Sequence, residues 1–161
     1  MKHNKVIFGR KALLNQIKNL KRRGKKIVFT NGCYDIIHAG HIRFLRKAKK
    51  LGGALVVAVN SDSSVRRIKS KKRPVVPQRE RAEVLSALES VDIVTVFYED
   101  DPYRIISAVK PDVLVKGGDW KINAIIGADV VRKNGGKVRN IKYEKGKSTT
   151  GIIRKVMRNY R

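Results

Sequence analysis

This chain is poor in cysteine, histidine, aromatic residues and acid. A single cysteine, Cys33, excludes an intramolecular disulfide framework and fits a reducing setting. Three histidines leave little material for a metal site built from imidazole. Aromatic residues make up 6% of the chain and do not alternate with the basic runs, which argues against a single-strand reader that stacks bases on rings. No apolar run approaches the roughly 20 residues of a membrane-spanning helix. The opening stretch, MKHNKVIFGRK, is basic but has neither the apolar core nor the small-residue cleavage site of a secretory signal, so a cytoplasmic protein is expected. The glycine patterns G-x-G-x-x-G and G-x-x-x-x-G-K-[ST] are also missing, which removes the dinucleotide fingerprint and the P-loop.

Acid is the scarcest class relative to its counterpart. There are 13 Asp and Glu against 38 Lys and Arg, a net charge of +25. Such a field attracts polyanions at moderate salt. The basic residues are spread over 18–26, 66–73, 132–147 and 154–161 instead of forming one tail. A diffuse solvated basic surface and a dedicated nucleic-acid site both remain open. The hydrophobic fraction of 42% and the length of 161 residues predict one globular domain over 1–161 with a substantial core.

Periodicity supplies the architecture. Residues 11–23 place Leu13, Leu14, Ile17 and Leu20 at helical spacing, with Gly24 as a stop. Residues 26–30, KIVFT, read as a buried strand, and 41–50 as a helix closed by Gly52-Gly53. The run ALVVAVN at 54–60 is the continuous apolar kind covered on both faces of a parallel sheet. Residues 61–73 read as a polar, basic, mobile segment. A helix over 77–90 and a strand over 91–97 follow. Asp100-Asp101-Pro102 starts a helix reaching about Val109. Strands at 112–116 and 137–143 bracket a helix over 123–133, and Ser148 caps a last helix. Strand and helix alternate five times. The expected fold is α/β: a Rossmann-like, doubly wound, five-stranded parallel sheet flanked by helices, with an N-terminal helix.

In such sheets ligands bind beyond the C-terminal strand ends, where strand order reverses. The first strand delivers the stretch TNGCYDIIHAGH, residues 30–41, to that place. Glycine permits the turn, and the following helix offers free N–H groups and a positive dipole end. His38 and His41 stand about one helical turn apart, so both rings can serve one side. Aimed at a phosphate, they would donate to charge developing on its oxygens. Two other readings stay open: a metal pair completed by Asp35, for which a tetrahedral site lacks further ligands, and histidines of no functional consequence.

His38-Ala39-Gly40-His41 resembles the H-x-G-H signature of a nucleotidyltransferase superfamily. Residues 31–35 (NGCYD) resemble the turn before that signature, and Arg81 in RERAEVL the arginine after its flexible loop. Residues 116–120 (KGGDW) resemble a branch-specific element, and Ser148-Thr149-Thr150 the S-T-T at the last helix. The resemblance runs from about Lys11 to Val156. Within the superfamily, VKGGDW and IIGADVVRKNGG look most like D-glycero-β-D-manno-heptose 1-phosphate adenylyltransferases. Glycerol-3-phosphate cytidylyltransferases and archaeal FAD synthetases are further relatives.

The resemblance implies transfer of AMP from ATP to a sugar 1-phosphate with Mg²⁺, releasing pyrophosphate, in a homodimer. It implies that His38 and His41 hold the α- and β-phosphates while Lys69 and Arg81 neutralise the leaving pyrophosphate. Thr30, Asn31, Gly32, Cys33, Asp35 and Gly40 would form the nucleotide cleft. Lys116, Gly118 and Asp119 would hold ribose and base, and Ser148 and Thr149 a phosphate. The metal would ride on the ATP phosphates, with no protein ligand assigned. Plainer roles stand beside these: Arg81 pairing with Glu83 or Asp62, Ser148 only capping a helix, Lys69 solvated, Asp119 serving a turn, and Cys33 packing. Gly53, Lys147 and the basic run 66–73 depart from the family pattern without touching the histidine pair.

Overall fold

The computed structural model describes residues 5–118, 120–142, 146 and 148–160. The elements in order are α1 (Arg10–Arg22), β1 (Ile27–Gly32), α2 (Ala39–Lys49), β2 (Ala54–Asn60), α3 (Asp62–Ile68), α4 (Gln78–Ala87), β3 (Ile93–Phe97), α5 (Tyr103–Val109), β4 (Val113–Gly117), a 3-10 turn (Ile122–Ala124), α6 (Ala128–Lys133), β5 (Lys137–Ile141) and α7 (Thr149–Asn159). The five strands pair in the order β3-β2-β1-β4-β5, and every pairing is parallel. Strand order reverses between β1 and β4, so the loops after these two strands leave in opposite directions and open a crevice.

The central strand β2 is apolar and buried throughout because both faces of the sheet are covered there, whereas the edge strand β5 fully buries only Val138. Along β2, Ala54, Val56 and Ala58 join one core and Leu55, Val57 and Val59 the other. The first core packs Leu13 and Ile17 of α1, Ile105, Ile106 and Val109 of α5, and Val131 of α6. The second packs Phe44, Leu45 and Ala48 of α2 with Ala82 and Leu85 of α4. Each such aliphatic side chain contributes about 1.5–3 kcal/mol when fully buried. The crevice therefore sits on a stiff three-layer base.

Two expectations need correction. Residues 61–73 are not simply a polar mobile segment. They begin with α3, whose N-cap Ser61 accepts from the Ser64 N–H at 3.2 Å and whose Ser64 and Val65 are buried. The helix expected over 123–133 is broken. The extended backbone at Ile125 ends a 3-10 turn, and Gly127, with a positive φ of 84°, is the N-cap from which α6 begins. A Cβ at Gly127 would also meet the Ile106 side chain at 2.8 Å, so glycine is required there twice over. Of the strand expected over 137–143, Tyr143 lies outside the described residues.

Candidate active site

A cleft of about 510 Å³ lies over the β1–β4 reversal. Asn31, Gly32, Cys33 and Asp35 enter it from the end of β1 and its loop, and His41 from α2. Lys69 enters from the end of α3, Arg73 from the next loop, Lys116 from β4, and Thr149 and Thr150 from α7. Most of the expected site is thus assembled from five separate elements. Trp120, Asn60 and Ile126 also line it.

The histidine pair stands at the opening of α2. The rings of His38 and His41 stack with centroids 3.9 Å apart at 26°. Tyr34 lies against His41 at 5.3 Å and fixes that ring from the other side. Burial, with a smaller contribution from neighbouring His38, lowers the His41 pKa to about 4, so the imidazole is neutral at physiological pH. Its Nδ1 is buried without a hydrogen-bond partner among the described residues. His38 is the N-cap of α2, makes no side-chain cap bond, and no acid occupies the first turn. The positive end of the helix therefore faces the cleft uncompensated. A second helix end arrives at the same place, because Thr149 Oγ1 donates to the Ile36 carbonyl at 3.3 Å.

Cations complete the field. Lys116 Nζ donates to Asn31 Oδ1 at 2.7 Å across the switch point, and burial lowers its pKa to about 8. Lys69, at the C-cap of α3, is exposed to the cleft. Arg73 is fixed by Asp35, Nε to Oδ2 at 2.5 Å. Asp35 also accepts the Val75 and Val76 N–H groups, each at 2.8 Å, with a side chain 1% exposed. Burial alone would raise this carboxyl, but the two backbone donors and Arg73 hold it below the usual carboxylate range. Burial pushes the Cys33 thiol up against the opposing pull of Lys69, Arg81 and Arg73, so it is a poor nucleophile and packs.

Several expected residues are elsewhere. Arg81 is fully buried and does not reach the cleft. Its guanidinium donates to Val76 O and Asn60 O at 2.9 Å, Asp62 Oδ1 at 2.8 Å, and Cys33 O. It ties the β1 loop, the end of β2 and the segment before α4 together. Thr30 and Gly40 are buried and do not line the cleft, because Thr30 lies within β1 and Gly40 in the first turn of α2. Ser148 caps α7 by accepting the Gly151 N–H at 3.0 Å, beside the cleft-lining Thr149. Gly118 takes a φ of 110° and donates its N–H to Ile141 O, serving the β4 exit. Asp119, Lys147 and His3 lie outside the described residues. Arg73 and Tyr34 were missed by sequence reasoning. The run of basic residues hid the first, and only the αL backbone at Tyr34, φ 48°, marks the second.

Comparison with known proteins agrees with this geometry. A model of the family described as cytidylyltransferase-like matches residues 29–155. The bifunctional protein HldE of Geobacter metallireducens is 52% identical over 140 residues, covering 87% of this chain and 29% of that protein. HldE of Pelobacter propionicus is 47% identical over 154 residues, covering 96% of this chain and 32% of that protein. The chain spans about a third of the length of these curated relatives. Among solved structures, a lipopolysaccharide core biosynthesis protein from Thermoplasma volcanium superposes with a TM-score of 0.62 at 32% identity, over 77% of this chain and all of the other. A pantoate–β-alanine ligase from Francisella tularensis shares the fold, with a TM-score of 0.60 at 13% identity over 96% of this chain and 79% of the other.

Proposed function

Because this chain belongs to the cytidylyltransferase-like family, we propose that its cleft transfers AMP from ATP to a heptose 1-phosphate, forming an ADP-sugar and pyrophosphate. The observation that carries the reading is the neutral His41, stacked on His38 at an uncompensated helix N-terminus and sharing the cleft with Lys69, Arg73 and Lys116. The identity to HldE proteins and to a lipopolysaccharide core biosynthesis protein supports the sugar acceptor.

The transfer needs no covalent intermediate on the protein. An acceptor phosphate oxygen attacks the α-phosphorus in line, that P–O bond forms, and the bond to the pyrophosphate oxygen breaks. Negative charge moves onto the leaving group. His41 and His38 donate to the phosphate oxygens as that charge shifts, and because His41 is neutral the stacked rings are not a buried like-charge pair. Lys69 and Arg73 meet the departing pyrophosphate, while Lys116, steered by Asn31, holds the nucleotide over β4.

Among the described residues no three His, Cys, Asp or Glu side chains converge to hold a metal. Asp35 is already engaged by Arg73 and two backbone N–H groups. Mg²⁺ is taken to ride in on the ATP phosphates, as the family resemblance implies. When bound, it neutralises phosphate charge. The reading takes a homodimer in the cytoplasm from the family resemblance. No helix among the described residues is long and apolar enough to cross a membrane.

The test is pyrophosphate release with Mg²⁺, ATP or CTP, and heptose 1-phosphate, glycerol 3-phosphate or flavin mononucleotide as acceptor. Release with ATP and heptose 1-phosphate alone is expected. Release with another pair instead would refute the substrate assignment, and no release with any pair would refute the reaction.

A further inference from the structure

The helices of this fold sort charge by end. In a parallel sheet every strand runs from a floor toward the cleft, and a helix that leads into a strand runs back, so the C-termini of α1, α2, α4, α5 and α6 open onto the floor. The last turn of α1 carries Lys21 and Arg22, that of α2 carries Arg46, Lys47 and Lys49, and that of α6 carries Arg132 and Lys133. First-turn acids Asp62, Glu80 and Asp129 sit at the opposite ends of their helices. Basic residues also fill the turns that lead into the strands. Lys25 and Lys26 precede β1, Lys50 and Lys110 lie before β2 and β4, and Lys137 opens β5; with Arg22, all of these are exposed.

These turns are neighbours in space. The Gly53 and Ala54 N–H groups donate to Lys26 O, the Asp112 N–H to Ile27 O, and the Lys137 N–H to Asp112 O. Two floor carboxylates offset part of this charge, Asp92 pairing with Lys49 and Asp112 with Lys21, and leave Lys25, Lys26, Lys50 and Lys137 as the exposed cations of the strand turns. Asp92 accepts the Leu55 N–H at 2.6 Å and Lys49 at 2.5 Å, and Asp112 accepts the Ile27 N–H at 2.7 Å. Glu89, near the β3 edge, is the third acid there.

We propose that this floor, on the side of the sheet away from the cleft, is a second binding surface, for the phosphate backbone of a nucleic-acid duplex. Three inter-strand spacings, from β2 to β5, make the row about 15 Å wide, against which a duplex presents on the order of eight phosphates. None of the exposed large apolar side chains lies in the turns that lead into the strands. That gives a bilayer nothing to bury and a single strand no ring to stack on. Fixed cations in a row, without rings or apolar wedges, fit sequence-independent phosphate contact. The surface owes nothing to the histidine pair, so it stands or falls apart from the proposed transfer reaction.

Fluorescence anisotropy of a short labelled duplex, titrated with the whole chain over a range of salt, tests this. With about six contacts, affinity should fall roughly 10³-fold between 50 and 200 mM salt. The combined variant Lys25→Gln, Lys26→Gln, Lys137→Gln should lower the log–log salt slope by about 3. The control variant Arg66→Gln, Lys71→Gln, Lys72→Gln, on exposed positions of α3 and the segment after it toward the cleft, should lower it by less than 1, and His41→Ala should bind the duplex as the parent does. Equal losses in the two charge variants would overturn the proposal in favour of diffuse charge. So would no binding at low salt, or binding to phosphatidylserine vesicles in preference to the duplex.

Discussion

Replacing Arg81 by lysine separates two roles that look alike in sequence. The guanidinium is fully buried and donates to four acceptors on three segments: Cys33 O, Asn60 O and Asp62 Oδ1, and Val76 O. A lysine places its donors on one nitrogen and cannot span that set. At least two charge-assisted hydrogen bonds should be lost, each worth about 1.5–3 kcal/mol, for a total of about 3–5 kcal/mol. Against a domain stability of about 5–15 kcal/mol, the protein should remain folded. Urea unfolding at neutral pH should show the midpoint lowered by about 2 M for a slope near 2 kcal/mol/M, with the slope itself unchanged. A midpoint within about 0.3 M of the parent, together with a raised KM for ATP, would refute the reasoning and return Arg81 to the pyrophosphate.

Further outcomes follow from the same polar framework. Asp35→Asn removes a carboxylate that gathers Arg73 and the Val75 and Val76 N–H groups, and should cost about 2–3 kcal/mol at neutral pH. Because the folded pKa of Asp35 is depressed, its stability contribution is present above the ordinary carboxylate pKa and lost as pH falls through the folded value. Parent and variant should therefore converge in acid urea titrations, and a gap that persists would contradict the clamp. Lys116, with a pKa of about 8, loses its charge as pH rises, so kcat/KM for the nucleotide should fall through about pH 8. Lys116→Arg should flatten that limb. The acid limb of kcat/KM should lie near the His41 value of about 4 instead of near 6.5, because the working imidazole is neutral.

The sheet was legible because its signal is strong. ALVVAVN can only be a strand covered on both faces, and β2 occupies those residues with every one buried. The loop carrying His38 and His41 was legible from glycine, histidine spacing and the strand before it. What stayed hidden depends on tertiary contact. Helix α3 is seven residues long, too short for periodicity to outweigh its polar composition, although Ser61 and Asp62 were the cap signals for it. Arg81 looks like any other exposed cation in RERAEVL, and only the fold shows three backbone carbonyls closing around it. The Asp35–Arg73 pair joins residues 38 apart, a separation at which sequence alone carries no pairing information. Lys116 meets Asn31 only because β4 lies beside β1.

The central claim is that the histidine pair stabilises charge moving onto a leaving pyrophosphate. Its most direct test is kcat for pyrophosphate release by His41→Ala, at saturating Mg·ATP and heptose 1-phosphate, in a variant whose circular dichroism matches the parent. The account predicts a fall of about 10²-fold or more, the scale of a lost transition-state donor. A kcat within about threefold of the parent, far short of that scale, would contradict it.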